Sequence, residues 1–250
     1  MPFRSENHKD LFTKGTSWKL EIDTNGYASF SGESIVTQIS AGRCFQSIDD
    51  NFSPKVSLNF RPRIKVRLLE DGYICFLEME LIQYRISKIN SWHPIQLNYS
   101  QIKSRLDKVL NWIDKASKKN NKYLWGGSLG PDFDCSGLVQ TSFASQSIWL
   151  PRDAYQQEIF CQDIPVEINN LDNLRPGNLL FFGTKDKCDH VGIYRGQGYY
   201  WHSSGIENGW NGIASDNLQT SNENSIAAYY SSRLRGAGRV ERCHDGTTLP

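Results

Sequence analysis

A cysteine that opens a helix and two histidines that share a hairpin are the residues of this chain whose types and spacing could do chemistry. Cys135 stands in Asp132-Phe133-Asp134-Cys135-Ser136-Gly137-Leu138-Val139, after a glycine-bearing loop and before apolar residues, Leu138, Val139 and Phe143, that can begin a buried helix. A thiol at a helix N-terminus meets unpaired backbone N–H groups and the positive end of the dipole, which favour thiolate over thiol. A lone cysteine is more often core filling. A thiolate nucleophile, however, needs a base, and the base needs an orienting partner. His190 and His202 can supply both if the chain folds back at Gly196-Gln197-Gly198. With the turn centred on Gln197, Gly192 faces His202, and His190 lies two residues along on the same face, about 7 to 8 Å away at the backbone. A two-residue turn would shift the register by one and throw the rings onto opposite faces.

The elements that must hold these residues fall into two regions. From Trp18 to Ser87, short alternating runs are broken by turn residues: Trp18–Ile22 before Asp23-Thr24-Asn25-Gly26, Ile35–Ile39, Lys65–Leu69 before Glu70-Asp71-Gly72, and Ile74–Leu77. Strands at this spacing predict a small β-barrel, a binding or positioning module. Beyond an irregular stretch at 90–98, Ser100 reads as the N-cap of a helix with apolar residues at Ile102, Leu106, Val109, Leu110 and Ile113, stopped by Lys118-Lys119-Asn120-Asn121-Lys122. Leu179-Leu180-Phe181-Phe182 reads as a buried strand, His190 to His202 as the hairpin, and Gly205 to Ser225 as a long polar surface loop. Helices first and sheet second make the second domain α+β. The expected layout is an N-terminal tail over 1–16, a barrel over 17–90, a linker over 91–99 and a catalytic domain over 100–250.

Composition narrows the class. The 250 residues allow a small module plus a catalytic domain, and 28 basic against 27 acidic residues leave a net charge of +1, which argues against a nucleic-acid partner. Residues 1–10 contain no apolar signal core and no later stretch suggests a membrane span, so the expectation is a cytoplasmic protein with no membrane partner. Six cysteines (Cys44, Cys75, Cys135, Cys161, Cys188, Cys243) then read as thiols. Cys188, His190, His202, Cys243 and His244 are zinc-ligand types, but their spacing does not match the paired ligands of common structural sites, so no metal or other cofactor is expected. Gly196-Gln197-Gly198 lacks the third glycine and following helix of a nucleotide-binding loop and is read as a turn.

Four motifs occur in one order: Tyr123-Leu124-Trp125-Gly126-Gly127, Asp134-Cys135-Ser136-Gly137-Leu138-Val139-Gln140, Arg175-Pro176-Gly177-Asn178-Leu179-Leu180-Phe181-Phe182 and His190-Val191-Gly192-Ile193-Tyr194. Together they resemble the NlpC family of papain-like cysteine peptidases that cut bacterial cell-wall peptides, over about residues 100 to 250. The preceding segment, through Glu70-Asp71-Gly72-Tyr73 and the domain order, resembles the bacterial SH3-like domain of the subgroup acting on free muropeptides. The resemblance implies Cys135 as nucleophile, His190 as base and His202 as its orienting residue. It also implies that the backbone N–H of Cys135 and the hydroxyl of Tyr123 stabilise the oxyanion. For substrate it implies Tyr73, Trp125, Asp134, Ser136 and Asp153, with Asp134 as the partner of a free L-alanine amine and Asp153 as helper. Asn178 stands where the family commonly has aspartate, and Ala154 where some relatives have serine.

The reading reached from the sequence is an intracellular γ-D-glutamyl-L-diamino acid endopeptidase of cell-wall recycling, with a murein tripeptide or tetrapeptide as its partner. A catalytically silent peptidoglycan-binding protein is the rival of another class, separable because a binder should keep its ligand after thiol alkylation. An acyltransferase or amidase on the same fold is the other, although those relatives generally place histidine before cysteine.

Overall fold

The computed structural model describes residues 11–50, 61–207, 209–223 and 225–249, so the part of the expected tail over residues 1–10 lies outside the described residues. The chain divides into two compact units. One comprises Met1–Pro94 with Asp245–Thr248, the other Ile95–His244 with Leu249–Pro250.

The first unit is built from short strands: β1 (Ser17–Leu20), β2 (Thr24–Tyr27), β3 (Ile35–Ile39), β4 (Cys44–Ser47), β5 (Arg63–Leu68), β6 (Ile74–Glu78) and β7 (Ile86–Ile89), with one turn of helix, α1 (Met79–Ile82), before the last. They pair antiparallel in the order β3-β2-β6-β5-β4-β1-β7. Among the described residues no pairing joins β3 to β7, so the expected barrel is seen as an open sheet. Asp23-Thr24-Asn25-Gly26, read as a turn, contributes its last three residues to β2. Phe12, placed by sequence in a tail, is fully buried and meets Trp18 edge-on at 6.0 Å. Inward residues of alternating strands, such as Ile64, Val66 and Leu68, are also fully buried, as the period of two requires. Arg43 pairs with Glu70 (3.3 Å) and Asp71 (2.7 Å), which locks the turn before Tyr73 from inside.

In the second unit, Asn98 rather than Ser100 is the N-cap of α2 (Tyr99–Lys103): its side chain accepts from the Gln101 N–H, and the Gln101 side chain accepts from the Asn98 N–H. This reciprocal capping box satisfies two helix-end donors, which Ser100, two residues deeper and already inside the helix, could not do. The helix breaks at Ser104 and resumes as α3 (Leu106–Ser117), ending where the lysine run begins. α4 (Cys135–Ala144) and α5 (Ala154–Phe160) follow. The sheet, all antiparallel, has the order β12-β11-β10-β9-β13-β8, with β8 (Gln162–Ile164), β9 (Leu179–Gly183), β10 (Cys188–Gly196), β11 (Tyr199–Ser204), β12 (Gly212–Asn217) and β13 (Leu234–Arg239). α6 (Ile226–Ser231) precedes β13. The mixed helix and sheet character agrees with the α+β expectation. The supposed loop from Gly205 to Ser225 instead contains β12, which pairs along the whole of β11.

Two cores position the site. One packs Ile102, Val109, Ile113, Leu138, Val139, Phe143, Leu179, Phe181, Val191 and Ile193 together, so α4 is fixed against β9 and β10. Leu138, Val139 and Phe143 are fully buried, each contributing about 1.5–3 kcal/mol relative to exposure. The other packs Leu180, Phe182, Tyr194, Tyr200 and Tyr230.

Candidate active site

Cys135 is the first residue of α4, and the loop before it is stitched down on both sides. Asp134 is the N-cap and accepts from the Gly137 N–H at 2.6 Å. Its other oxygen accepts from the Gly126 N–H at 2.9 Å, which draws in Tyr123–Gly127. The Ser203 hydroxyl of β11 donates to the Phe133 carbonyl at 2.7 Å. Gly137 is required by this crossing, since a Cβ there would lie 2.1 Å from the Gly127 carbonyl oxygen.

The hairpin brings the histidines together as its register demands. Ile193 faces Trp201 and Tyr194 faces Tyr200, which sets Gly192 opposite His202. The loop itself is only Gln197-Gly198, both at positive φ as in the tight hairpin turns, and a register shift between Tyr194 and Gly196 restores the alignment that a two-residue turn alone would lose. Nε2 of His190 lies 2.9 Å from Nδ1 of His202. That leaves Nδ1 of His190 for another partner. The sulfur of Cys135, at the start of α4, faces this strand: the backbone N–H of Val191, next to His190 on β10, and that of Ser136 in its own helix are directed at it.

The electrostatics differ from the expectation of a standing thiolate. Burial, with the adjacent Asp134 carboxylate, pushes the Cys135 thiol up to about 12, against the opposing pull of the Val191 and Ser136 N–H groups and of Arg152. Only 7% of the residue is exposed, and loss of water outweighs the helix end. Burial, reinforced by His202 and Arg233, holds His190 well below the ordinary imidazole value. In both groups burial therefore favours the neutral form, thiol and imidazole.

Tyr123 is half-buried and pairs by an isolated bridge with Phe133; burial and then the neighbouring Cys135 raise its hydroxyl, so it stays a donor. Ser136 is buried, its hydroxyl accepting from Arg152 at 2.9 Å. Asp134, expected to greet a substrate amine, is already matched: Arg152 donates to its two oxygens at 3.1 and 2.6 Å, and Arg152 is 1% exposed. As folded it anchors the nucleophile's helix, and a substrate ammonium would be a second cation on one carboxylate. Asp153, next in the chain, is the half-buried N-cap residue of α5 without a capping bond. Trp125 is 69% exposed. Tyr73 belongs to the first unit, packed partly against that unit's core. Asn178, where aspartate is common, accepts from the Arg175 N–H at 2.7 Å, a turn contact that an amide oxygen makes as well as a carboxylate. Ala154 is buried at the start of α5.

Besides Arg152, three residues escaped the sequence reading. Asp216, on β12, lies 3.0 Å through Oδ2 from Nε2 of His202. Trp210 donates from its indole N–H to both Asp216 oxygens, at 3.2 and 3.1 Å. Tyr230 of α6 stacks on the His190 ring at 4.4 Å and meets His202 edge-on at 4.8 Å. It also shares a hydrogen bond with Ser204, and burial first, then the neighbouring Cys135, raises its hydroxyl. All six cysteines are free thiols.

Residues 120–235 match the model of the NlpC/P60 family. The gamma-D-glutamyl-L-lysine dipeptidyl-peptidase of Bacillus subtilis (strain 168) is 40% identical over 84 residues, 32% of this chain and 27% of that protein. The murein DD-endopeptidase MepS/murein LD-carboxypeptidase of Escherichia coli (strain K12) is 35% identical over 105 residues, 41% of this chain and 50% of that protein. The chain thus spans between about a quarter and a half of the length of these curated relatives. A crystal structure of an NlpC/P60 family protein from Bacillus cereus ATCC 10987 aligns with 94% of this chain and 66% of its own, at 20% identity and a TM-score of 0.45.

Proposed function

We propose that the protein is a cysteine endopeptidase that hydrolyses the γ-D-glutamyl-L-diamino acid bond of murein peptides with a free N-terminal L-alanine, in cytoplasmic recycling of the cell wall. The observation that carries the reading is the 2.9 Å contact of His202 with His190, the residue next to the Val191 N–H that is aimed at the Cys135 sulfur. The choice of bond draws on the likeness to the gamma-D-glutamyl-L-lysine dipeptidyl-peptidase. The first unit acts as an SH3-like positioning module.

Because the resting pair is neutral, the thiol proton leaves only as the bond to carbon forms. Sγ of Cys135 attacks the γ-carbonyl of glutamate while Nδ1 of His190 takes the proton, with His202 holding the ring. The oxyanion accepts from the backbone N–H of Cys135 and the Tyr123 hydroxyl. Collapse expels the diamino acid, whose amine receives the proton from His190, and leaves a thioester on Cys135. Water, deprotonated by His190, then releases the L-Ala-D-Glu half and restores the thiol. The alanine amine is received by Asp134, with Asp153 as helper and Ser136 and Trp125 as further substrate contacts, so that the ammonium joins a carboxylate already oriented by Arg152.

The test is to incubate the protein separately with L-Ala-γ-D-Glu-diaminopimelate, its N-acetylated form and a D-Ala–diaminopimelate cross-linked dimer, and to weigh the products. Release of diaminopimelate, faster from the free amine than from the acetylated peptide, supports the reading. Cleavage confined to the cross-link, or none at all, overturns it.

A further inference from the structure

The contacts around His202 do not stop at the two histidines. Asp216 is diagonal to His202 on the paired strand, since His202 faces Ala214 and Tyr200 faces Asp216, so both side chains lie on one face of the sheet. Asp216 is 6% exposed and His202 fully buried. Trp210 is 56% exposed, yet its indole N–H donates to both Asp216 oxygens and its backbone N–H donates to the Ser204 hydroxyl at 3.0 Å. Ser204 in turn bonds Tyr230, and Tyr230 stacks on His190. The contacts therefore close into a ring: His190, His202, Asp216, Trp210, Ser204, Tyr230 and back to His190.

The direction of every proton in half of this ring follows from the donors available. An indole N–H can only donate, so Asp216 must accept from Trp210, and an ionised carboxylate can only accept from His202 as well. Nε2 of His202 then carries the proton, and its Nδ1 offers a lone pair. Nε2 of His190, 2.9 Å away, must donate to that lone pair. The one tautomer left to His190 has a bare Nδ1, the nitrogen a thiol proton requires.

We propose that Asp216, held by Trp210, is the positioning residue that fixes the tautomers of His202 and His190 and so makes His190 a base toward Cys135. The proposal rests on the Cys135 and His190 roles given above. It assigns Asp216 no contact with substrate. When His190 takes the thiol proton, the charge is shared along hydrogen bonds that end on the Asp216 carboxylate, while Tyr200, Tyr230 and Arg233 are the other ionisable groups facing the pair.

Asp216→Asn tests this sharply. One amide oxygen cannot serve both the indole and His202, so its NH2 turns to Nε2 of His202 and reverses both tautomers. We expect kcat on L-Ala-γ-D-Glu-diaminopimelate to fall at least about a hundredfold with KM within about threefold. With Asp216→Ala, added formate should restore part of the loss, which a merely structural role would not permit. The independent readout is the ring ¹⁵N spectrum of the unaltered full-length protein, which needs no substrate: proton on Nε2 and none on Nδ1 in both His190 and His202. A His190 or His202 proton on Nδ1 in that spectrum overturns the proposal even if the peptide is cut. The expected spectrum without any peptide cleavage upholds the tautomer assignment while the proposed substrate fails. Unchanged kcat in a folded Asp216→Asn protein also overturns it.

Discussion

The Arg152 guanidinium grips both oxygens of the Asp134 carboxylate at 3.1 and 2.6 Å, in a pair hidden from solvent. Asp134 in turn caps the helix that carries Cys135 and draws in the Tyr123–Gly127 loop through the Gly126 N–H. One bidentate contact therefore links the nucleophile, the oxyanion donor and α5. Arg152→Met should leave a buried carboxylate without its cation and destabilise the protein by about 3–5 kcal/mol. Urea unfolding followed by circular dichroism checks this, and a change under about 1 kcal/mol would show that the pair is not structural.

The neutral resting pair has a pH signature. A thiol pushed up to about 12 is protonated throughout the neutral range, so iodoacetamide should react with Cys135 about tenfold faster for each pH unit between about 6 and 9, with no plateau. His190, held below the ordinary imidazole value of 6.5, stays an unprotonated base as the pH falls through that value. Peptide cleavage should accordingly persist at pH 6.5 and decline only below it. A plateau of alkylation near neutrality would instead reveal a standing thiolate–imidazolium pair.

Tyr230 separates ring from hydroxyl. Tyr230→Phe keeps the stack on His190 and should retain activity within about threefold, whereas Tyr230→Leu loses an aromatic contact worth about 0.5–1.5 kcal/mol and should lower kcat by about two- to tenfold. Steady-state kinetics on the same peptide distinguish them. Equal activity in both variants would remove the stack from the account.

What was legible in the chain was whatever local pattern encodes. Leu179–Phe182 is continuously apolar and forms a wholly buried strand. Gly196-Gln197-Gly198 permits the positive φ of a tight turn, and the histidine pairing follows from period-two geometry. The turn contains two residues rather than three, and the histidines still meet because a compensating irregularity falls at Arg195-Gly196. β12 was hidden because Gly212-Ile213-Ala214-Ser215-Asp216-Asn217 has little strand propensity and is extended by pairing with β11. Asp216 was hidden with it. Arg152 and Tyr230 carry no local periodic signal, since their partners lie 18 and 40 residues away in sequence, at Asp134 and His190. A helix terminus is visible in a sequence and the burial that pushes the Cys135 thiol up against it is not.

The most direct measurement compares unaltered protein with Cys135→Ala on L-Ala-γ-D-Glu-diaminopimelate, after circular dichroism has shown both to be folded. The nucleophile's loss should abolish diaminopimelate release while leaving urea unfolding within about 1 kcal/mol, because a small side chain at a helix start contributes little packing compared with its chemistry. Release at the unaltered rate from the folded Cys135→Ala protein would contradict the account.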